Sequence, residues 1–243
     1  MRTTLLLAAA VIVAGCAATP SGSSSDADPL ESLNRTSFAI SNAFDKVLLK
    51  PAAKGYELIL PGLIRQGITN VSRNLRTPLD GINNLLQGKG SAAANDLGRF
   101  TLNSTLGLGG LFDFATDMGL DQNNEDFGQT LAVWGVPAGP YVYIPVLGSY
   151  TLRDAFMIPL NQLADPMFYM TERSTRDKIY LVRALELRQR LFAAEALIKN
   201  SADRYVALRE SYLQRREYLI YDGDPPVDDD FYDEFLEDDE PAQ

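Results

Sequence analysis

The sequence predicts an all-α fold, a bundle of helices interrupted by irregular segments rich in glycine and proline. Three observations carry this. Residues 174–199 run without glycine or proline and keep their charges to one side. Several earlier segments repeat apolar residues at helical spacing between clear start and stop signals. No stretch shows strand alternation, and there is no internal repeat.

DPLESLNRTSFAISNAFDKVLLKP places Leu30, Leu33, Phe38, Phe44, Val47 and Leu48 at such spacing and meets Pro51, which predicts one or two short helices. Pro61 opens a helix with the face Leu63, Ile64, Ile68, Val71 and Leu75. Thr77 and Pro78 read as the cap and first turn of another, stopped by Gly88 and Gly90. A further helix opens at Ser91 and runs into Gly107, Gly109 and Gly110. After the long helix over 174–199, Ser201 caps a last one with the stripe Tyr205, Leu208, Tyr212 and Leu219.

Two stretches stand apart. Residues 100–112 and 127–152 carry no charge, and the second holds four glycines and three prolines. A run that long suits a membrane span, but glycine and proline at that density forbid one regular helix. Thr151-Leu152-Arg153-Asp154 closes it, either as a helix start or as a phosphate contact at a rim.

The 243 residues carry a net charge of −10, but eleven acids and no base lie between Asp222 and the end. The body holds 21 acids against 22 bases, which argues against nucleic-acid binding. Residues 222–243 read as a disordered acidic tail, a solubiliser or a docking peptide through Phe231, Tyr232 and Phe235. Histidine is absent and Cys16 is the only cysteine, which removes the usual triads, disulfides and histidine or cysteine metal sites. Asp113 with Asp117, and Glu125 with Asp126, have no activating neighbours in the sequence to make them a catalytic pair. No nucleotide-binding loop is present. Metal, cofactor and enzymatic chemistry are therefore not expected.

Residues 1–15 have a basic start and an apolar run of signal-peptide length. Val13-Ala14-Gly15-Cys16 resembles the lipobox of bacterial lipoproteins, the alternative being an ordinary signal with a chance cysteine. That resemblance implies cleavage before Cys16 and a covalent lipid on it. With Ala17 and Ala18 following, it implies export to the outer membrane, where residues 16–29 form a flexible tether.

Taken together, DPLESLNRTSFAISNAFD at 28–45, NLLQGKG at 84–90, RFTLNSTLGLGGLFDFA at 99–115, EDFGQTLAVWGVPAGPYVYIPVLGSYTLRD at 125–154 and SADRYVALRESYLQRREYLI at 201–220 resemble the MlaA (VacJ) family of outer-membrane lipoproteins. The resemblance implies a ring-shaped, doughnut-like helical domain over residues 30–221, lodged in the periplasmic leaflet around a central amphipathic channel. It implies removal of mislocalised phospholipid from the outer leaflet, transfer to the soluble periplasmic carrier MlaC, and association with trimeric porins. No cofactor is implied beyond the lipid on Cys16 and phospholipid as cargo. A lipoprotein that only scaffolds a porin-associated complex is the alternative.

Non-regular backbone survives at membrane depth only if buried in protein or lining a wet cavity. Residues 127–152 fit a channel wall on that ground, or else the irregular core of a soluble helical domain. The channel reading makes Trp134, Tyr141, Val142, Tyr143, Ile144, Tyr150 and Arg153 the candidate lipid contacts. The 117–128 segment corresponds to a mobile hairpin in the family, though DMGLDQNNED is shorter and more acidic here. Gly119, Phe127, Gly128 and Gly135 are its candidate gating and hinge positions.

Overall fold

The structure, a computed structural model, describes residues 28–198 and 200–226. The signal peptide, Cys16, most of the tether and the tail beyond residue 226 lie outside the described residues. Among the described residues eleven elements accompany a π turn and a 3-10 turn: α1 (Glu31–Phe44), α2 (Lys50–Ile59), α3 (Gly62–Leu86), α4 (Gly90–Thr105), α5 (Phe114–Asp117), α6 (Phe127–Val133), the strands β1 (Tyr141–Ile144) and β2 (Gly148–Thr151), α7 (Leu152–Leu163), α8 (Arg173–Ile198) and α9 (Arg204–Ile220).

The helices close on themselves. α1 packs on β1, the β-hairpin on α7, α7 on α6, α6 on α3, α3 on α8, and α8 on α2, which continues from α1. That circuit is a ring. α4 lies along α3 outside the circuit, and α9 crosses from α8 to α6 and β2. The seam between α1–α2 and α8 is held by ion pairs. Arg188 grips Asp45 through two bonds of 2.5 and 2.8 Å, and Lys50 meets Glu195 at 2.5 Å.

Three boundaries differ from expectation. The first helical segment passes Pro51 instead of ending there, because a π turn at Asp45–Leu49 precedes it. The wider coil relieves the clash of the proline ring with the preceding turn. α3 likewise runs unbroken through Pro78. Thr77 donates its hydroxyl to the Arg73 carbonyl rather than capping a new helix. Asn74 to Ser104 (2.9 Å) anchors the turn before the proline, and Asp80 to the Glu125 amide (3.0 Å) the turn after it. α9 is capped by Asp203, not Ser201, through the amides of Tyr205 and Val206.

The hairpin was not foreseen. Tyr141 pairs with Thr151 and Ile144 with Gly148 in antiparallel register. Its alternation is invisible in the sequence because neither face carries charge. At its tip Val146 has φ 69°, an unusual conformation for a β-branched residue, and donates its amide to Ser41 Oγ at 3.0 Å.

Asn34 of α1 sets the hairpin in the ring. Its amide donates to the Tyr141 carbonyl (3.0 Å) and accepts from the Tyr143 amide (2.8 Å), which reproduces the pairing of an adjacent strand. Asp28 orients it by accepting at 3.0 Å. Asn34→Leu is expected to strand both backbone groups at a cost of about 1–3 kcal/mol each. Thermal unfolding in micelles checks this, against Asn34→Asp, which keeps the acceptor.

Burial is inverted. Seven apolar side chains are buried among the described residues against twenty-two polar or charged ones. α3 turns Thr69, Asn74, Asp80, Asn83 and Asn84 inward. Outside, Val47, Leu58 and Leu63 are 80%, 87% and 88% exposed, with Ile40, Leu85, Phe156 and many others also on the surface. Leaving a large apolar side chain in water forgoes about 1.5–3 kcal/mol, and soluble monomers rarely show such continuous patches. No described helix is long and apolar enough to cross a membrane.

Candidate functional site

The charged motif residues meet at one buried node. Asp126 caps α6 by accepting from the Gln129 amide, and its two oxygens take both terminal nitrogens of Arg216 from α9 at 2.7 Å each. Arg216 Nε lies 2.8 Å from Asp154 Oδ2 at the start of α7. Asp154 also accepts from Arg153 Nε and the Tyr212 hydroxyl, each at 3.0 Å. Burial pushes the Asp126 carboxyl up, but the Arg216 bonds and charge outweigh it and hold it at about 2. A Cβ on Gly128 would collide with Asp154 and Arg216, so this glycine serves close approach inside α6.

A second polar cluster pins the segment before α6. Asp80 accepts from the Glu125 amide, Arg76 donates to the Glu125 carbonyl (3.0 Å), Asn123 donates to Asp96 (2.9 Å), and Gln129 to the Asn124 carbonyl (2.6 Å). Beyond it, Arg99 and Asn103 of α4 both grip Asp113, which fixes the glycine-rich turn after α4.

Burial pushes Asp80 up to about 7 against the pull of Arg76, and Asp96 and Glu125 are raised by burial too. A raised acid binds its proton more tightly folded than unfolded. Its contribution to stability is therefore present below the unfolded value of about 4 and lost as pH rises through about 7. Asp126 acts oppositely, losing its contribution as pH falls towards about 2. Unfolding temperatures are expected to rise from pH 8 to pH 5, and Asp80→Asn to flatten that slope.

Three cavities follow one another along this wall. The first, about 780 Å³, lies between α3, the Leu111–Phe112 turn and α8, and is apolar. The predicted apolar face of α3, from Leu63 to Leu75, lines it. The second, about 490 Å³, shares Ser72, Leu75 and Arg183 with the first and is bounded by Tyr150, α7 and α8. The third, about 390 Å³, shares Arg76, Asp126 and Arg190 with the second and adds Arg73 and Arg215. Polarity thus rises across these three neighbouring cavities, from aliphatic side chains to a cluster of arginines.

The candidate residues fall in several places. Tyr150 lines the second cavity. Tyr141 is buried, bonded to Ser149 and packed edge-on against Tyr205 and Tyr212. Tyr143 meets Phe38 edge-on, and Val142 and Ile144 are half-buried strand residues. Trp134 is exposed and donates to the Leu86 carbonyl at 3.0 Å. Arg153 is buried at the helix start, holding Asp154 and the Val136 carbonyl. Of the hinge candidates, Gly119 and Gly135 have φ of 78° and 86°, whereas Phe127 and Gly128 lie within α6.

Sequence reading passed over Ser72, Arg73, Arg76, Arg183, Arg190 and Arg215. A signal was present. Arg183 and Arg190 stand two helical turns apart on one face of α8, opposite Arg76 and its neighbours on α3. Among the described residues no group of three or more acids, histidines or cysteines is placed to hold a metal.

A helical ring that buries polar side chains, exposes many large apolar ones and holds three adjoining cavities of rising polarity is unlike an ordinary water-soluble bundle. The chain belongs to the MlaA lipoprotein family, whose model matches residues 26–219. The intermembrane phospholipid transport system lipoprotein MlaA of Escherichia coli K12 is 31% identical over 228 residues, covering 92% of this chain and 90% of its own length. That of Haemophilus influenzae is 32% identical over 208 residues, covering 81% and 80%. A chain solved to explain maintenance of bacterial outer membrane lipid asymmetry superposes with a TM-score of 0.71 at 35% identity, covering 79% of this chain and 98% of that one. The helical-ring expectation holds, and nothing in the family points to catalysis.

Proposed function

We propose that this protein is an outer-membrane lipoprotein that withdraws mislocalised phospholipid from the outer leaflet and releases it to the periplasmic carrier MlaC, maintaining lipid asymmetry. The ring sits in the periplasmic leaflet beside a trimeric porin, tethered through lipid on Cys16. The observation that carries this reading is the graded series of cavities. Its aliphatic end suits acyl chains, and its arginine end suits phosphate, whose oxygens a guanidinium pairs with bidentately. Inverted burial supports seating in a monolayer, since the exposed Val47, Leu58 and Phe156 then meet hydrocarbon. Movement is downhill. A pure scaffold would need no such path.

The test is a transfer assay. The protein, with its porin partner, is placed in vesicles holding labelled phospholipid, and soluble carrier is added. Label is expected in the carrier fraction well above protein-free vesicles. Label that stays in the vesicles with a competent carrier would count against transport and favour the scaffold.

A further inference from the structure

The third cavity is electrically unbalanced. Arg73, Arg76, Arg190 and Arg215 line it with one acid, Asp126, which Arg216 already neutralises. Arg76 and Arg190 each meet a single carboxylate, Asp80 and Glu186, whereas Arg73 and Arg215 meet none among the described residues. Arg215 instead lies over the Tyr218 ring at 5.3 Å. The uncompensated charge of Arg73 and Arg215 beside about 390 Å³ of space attracts an anion, because their fields focus between low-dielectric walls.

The chain itself brings one there. Arg215 and Leu219 of the cavity wall stand in the last two turns of α9, which ends at Ile220. The next residues turn back over this end of the ring, where Asp222 accepts from Lys89 Nζ at 2.6 Å. Residues 227–243 then carry nine acids and no base. Seventeen residues reach up to about 55 Å when extended, far more than return to the preceding helical turn requires. A long polyacid attached beside an arginine-lined cavity has a high effective concentration there, so even weak ion pairs fill the site.

We propose that the acidic tail, residues 227–243, docks into the arginine-lined third cavity as an intramolecular occupant. It would exclude other anions until one of higher local concentration displaces it. This docking stands on charge and attachment alone and holds whether or not the path carries lipid.

The test traps the contact in the full chain. Gln122→Cys, at the cavity wall, is combined with Asp233→Cys in the tail, and the protein is oxidised mildly in nonionic micelles. Mass spectrometry reads the 122–233 linked peptide. A matched pair with Lys54→Cys on α2 serves as control. Trapping at 122 is expected to exceed trapping at 54 about tenfold at low salt. It should drop roughly fivefold at 500 mM salt, where the Debye length shortens to a few ångströms. Arg73→Gln with Arg215→Gln should lower it similarly. The salt arm keeps every arginine, so it does not depend on how that double variant folds. Equal trapping at both positions, or trapping indifferent to salt, would overturn the docking. Lipid transfer that fails while trapping succeeds would leave the docking intact and sink only the transport reading.

Discussion

Replacing Arg216 with methionine is expected to cost about 3–5 kcal/mol. Arg216 stands between two carboxylates on different helices, Asp126 on α6 and Asp154 on α7, and is itself mostly buried. Its removal leaves two like charges facing each other in a largely buried site, with only the cavity edge of Asp126 open to water. The loss therefore exceeds that of a surface ion pair, worth about 0–1 kcal/mol. Asp126→Asn added to Arg216→Met should restore part of it by removing one stranded charge. Unfolding temperature and the level of membrane-associated protein both report it. An Arg216→Met protein as stable as the parent would show that the node does not hold α6, α7 and α9 together.

Ser72→Trp should abolish passage while sparing the fold. Ser72 lines both the apolar cavity and the second one, so it stands on the boundary a lipid would cross in the proposed route. It is only half-buried and donates no side-chain bond that the ring needs, so an indole adds bulk in the path without emptying the core. Transfer to the carrier is expected to fall at least about tenfold, which corresponds to roughly 1.4 kcal/mol on the barrier. Thermal stability should remain near that of the parent. Normal transfer with an indole at this point would remove the path from the mechanism.

Much of the helical framework was legible because helix signals are local. The absence of glycine and proline over 174–199 gave α8 almost to its ends, and the apolar face from Leu63 to Leu75 was read correctly as one face of α3. What that face meets was not legible. Periodicity identifies an apolar side, and in most proteins that side enters a core; here it lines a cavity. Pro51 was read as a stop and Pro78 as the first turn of a new helix, because a π turn has no sequence signature of its own and the anchor of the turn before Pro78 comes from α4, outside the local segment. The hairpin escaped because alternation needs contrast, and residues 141–151 have almost none.

The site was legible in its motifs more than in its roles. Asn34, Arg99, Asp126, Asp154 and Arg216 all lie in the segments that carried the family resemblance, and the fold brings the last three together. Their work is to hold the ring. The arginines that face the path are scattered over α3, α8 and α9, and only the closed circuit collects them. Tyr141 and Arg153 looked like contacts because aromatic and basic residues suit a lipid interface. Both instead satisfy interior bonds, and no pattern within one segment separates the two uses.

The inverted burial has a consequence for how the molecule reaches its place. Its many exposed leucines and phenylalanines suit it poorly to the aqueous stretch between two membranes that the proposed location implies it has crossed. Crossing that stretch requires an escort that covers the exposed leucines and phenylalanines, or a chain that closes its ring only on arrival. The seam made by Asp45 with Arg188 and by Lys50 with Glu195 suits late closure, since it joins residues more than a hundred positions apart and adds ion pairs to the packing of α2 on α8. A protein proposed to hand lipid to a carrier is thus, during its own biogenesis, a passenger with the same solubility problem as its cargo.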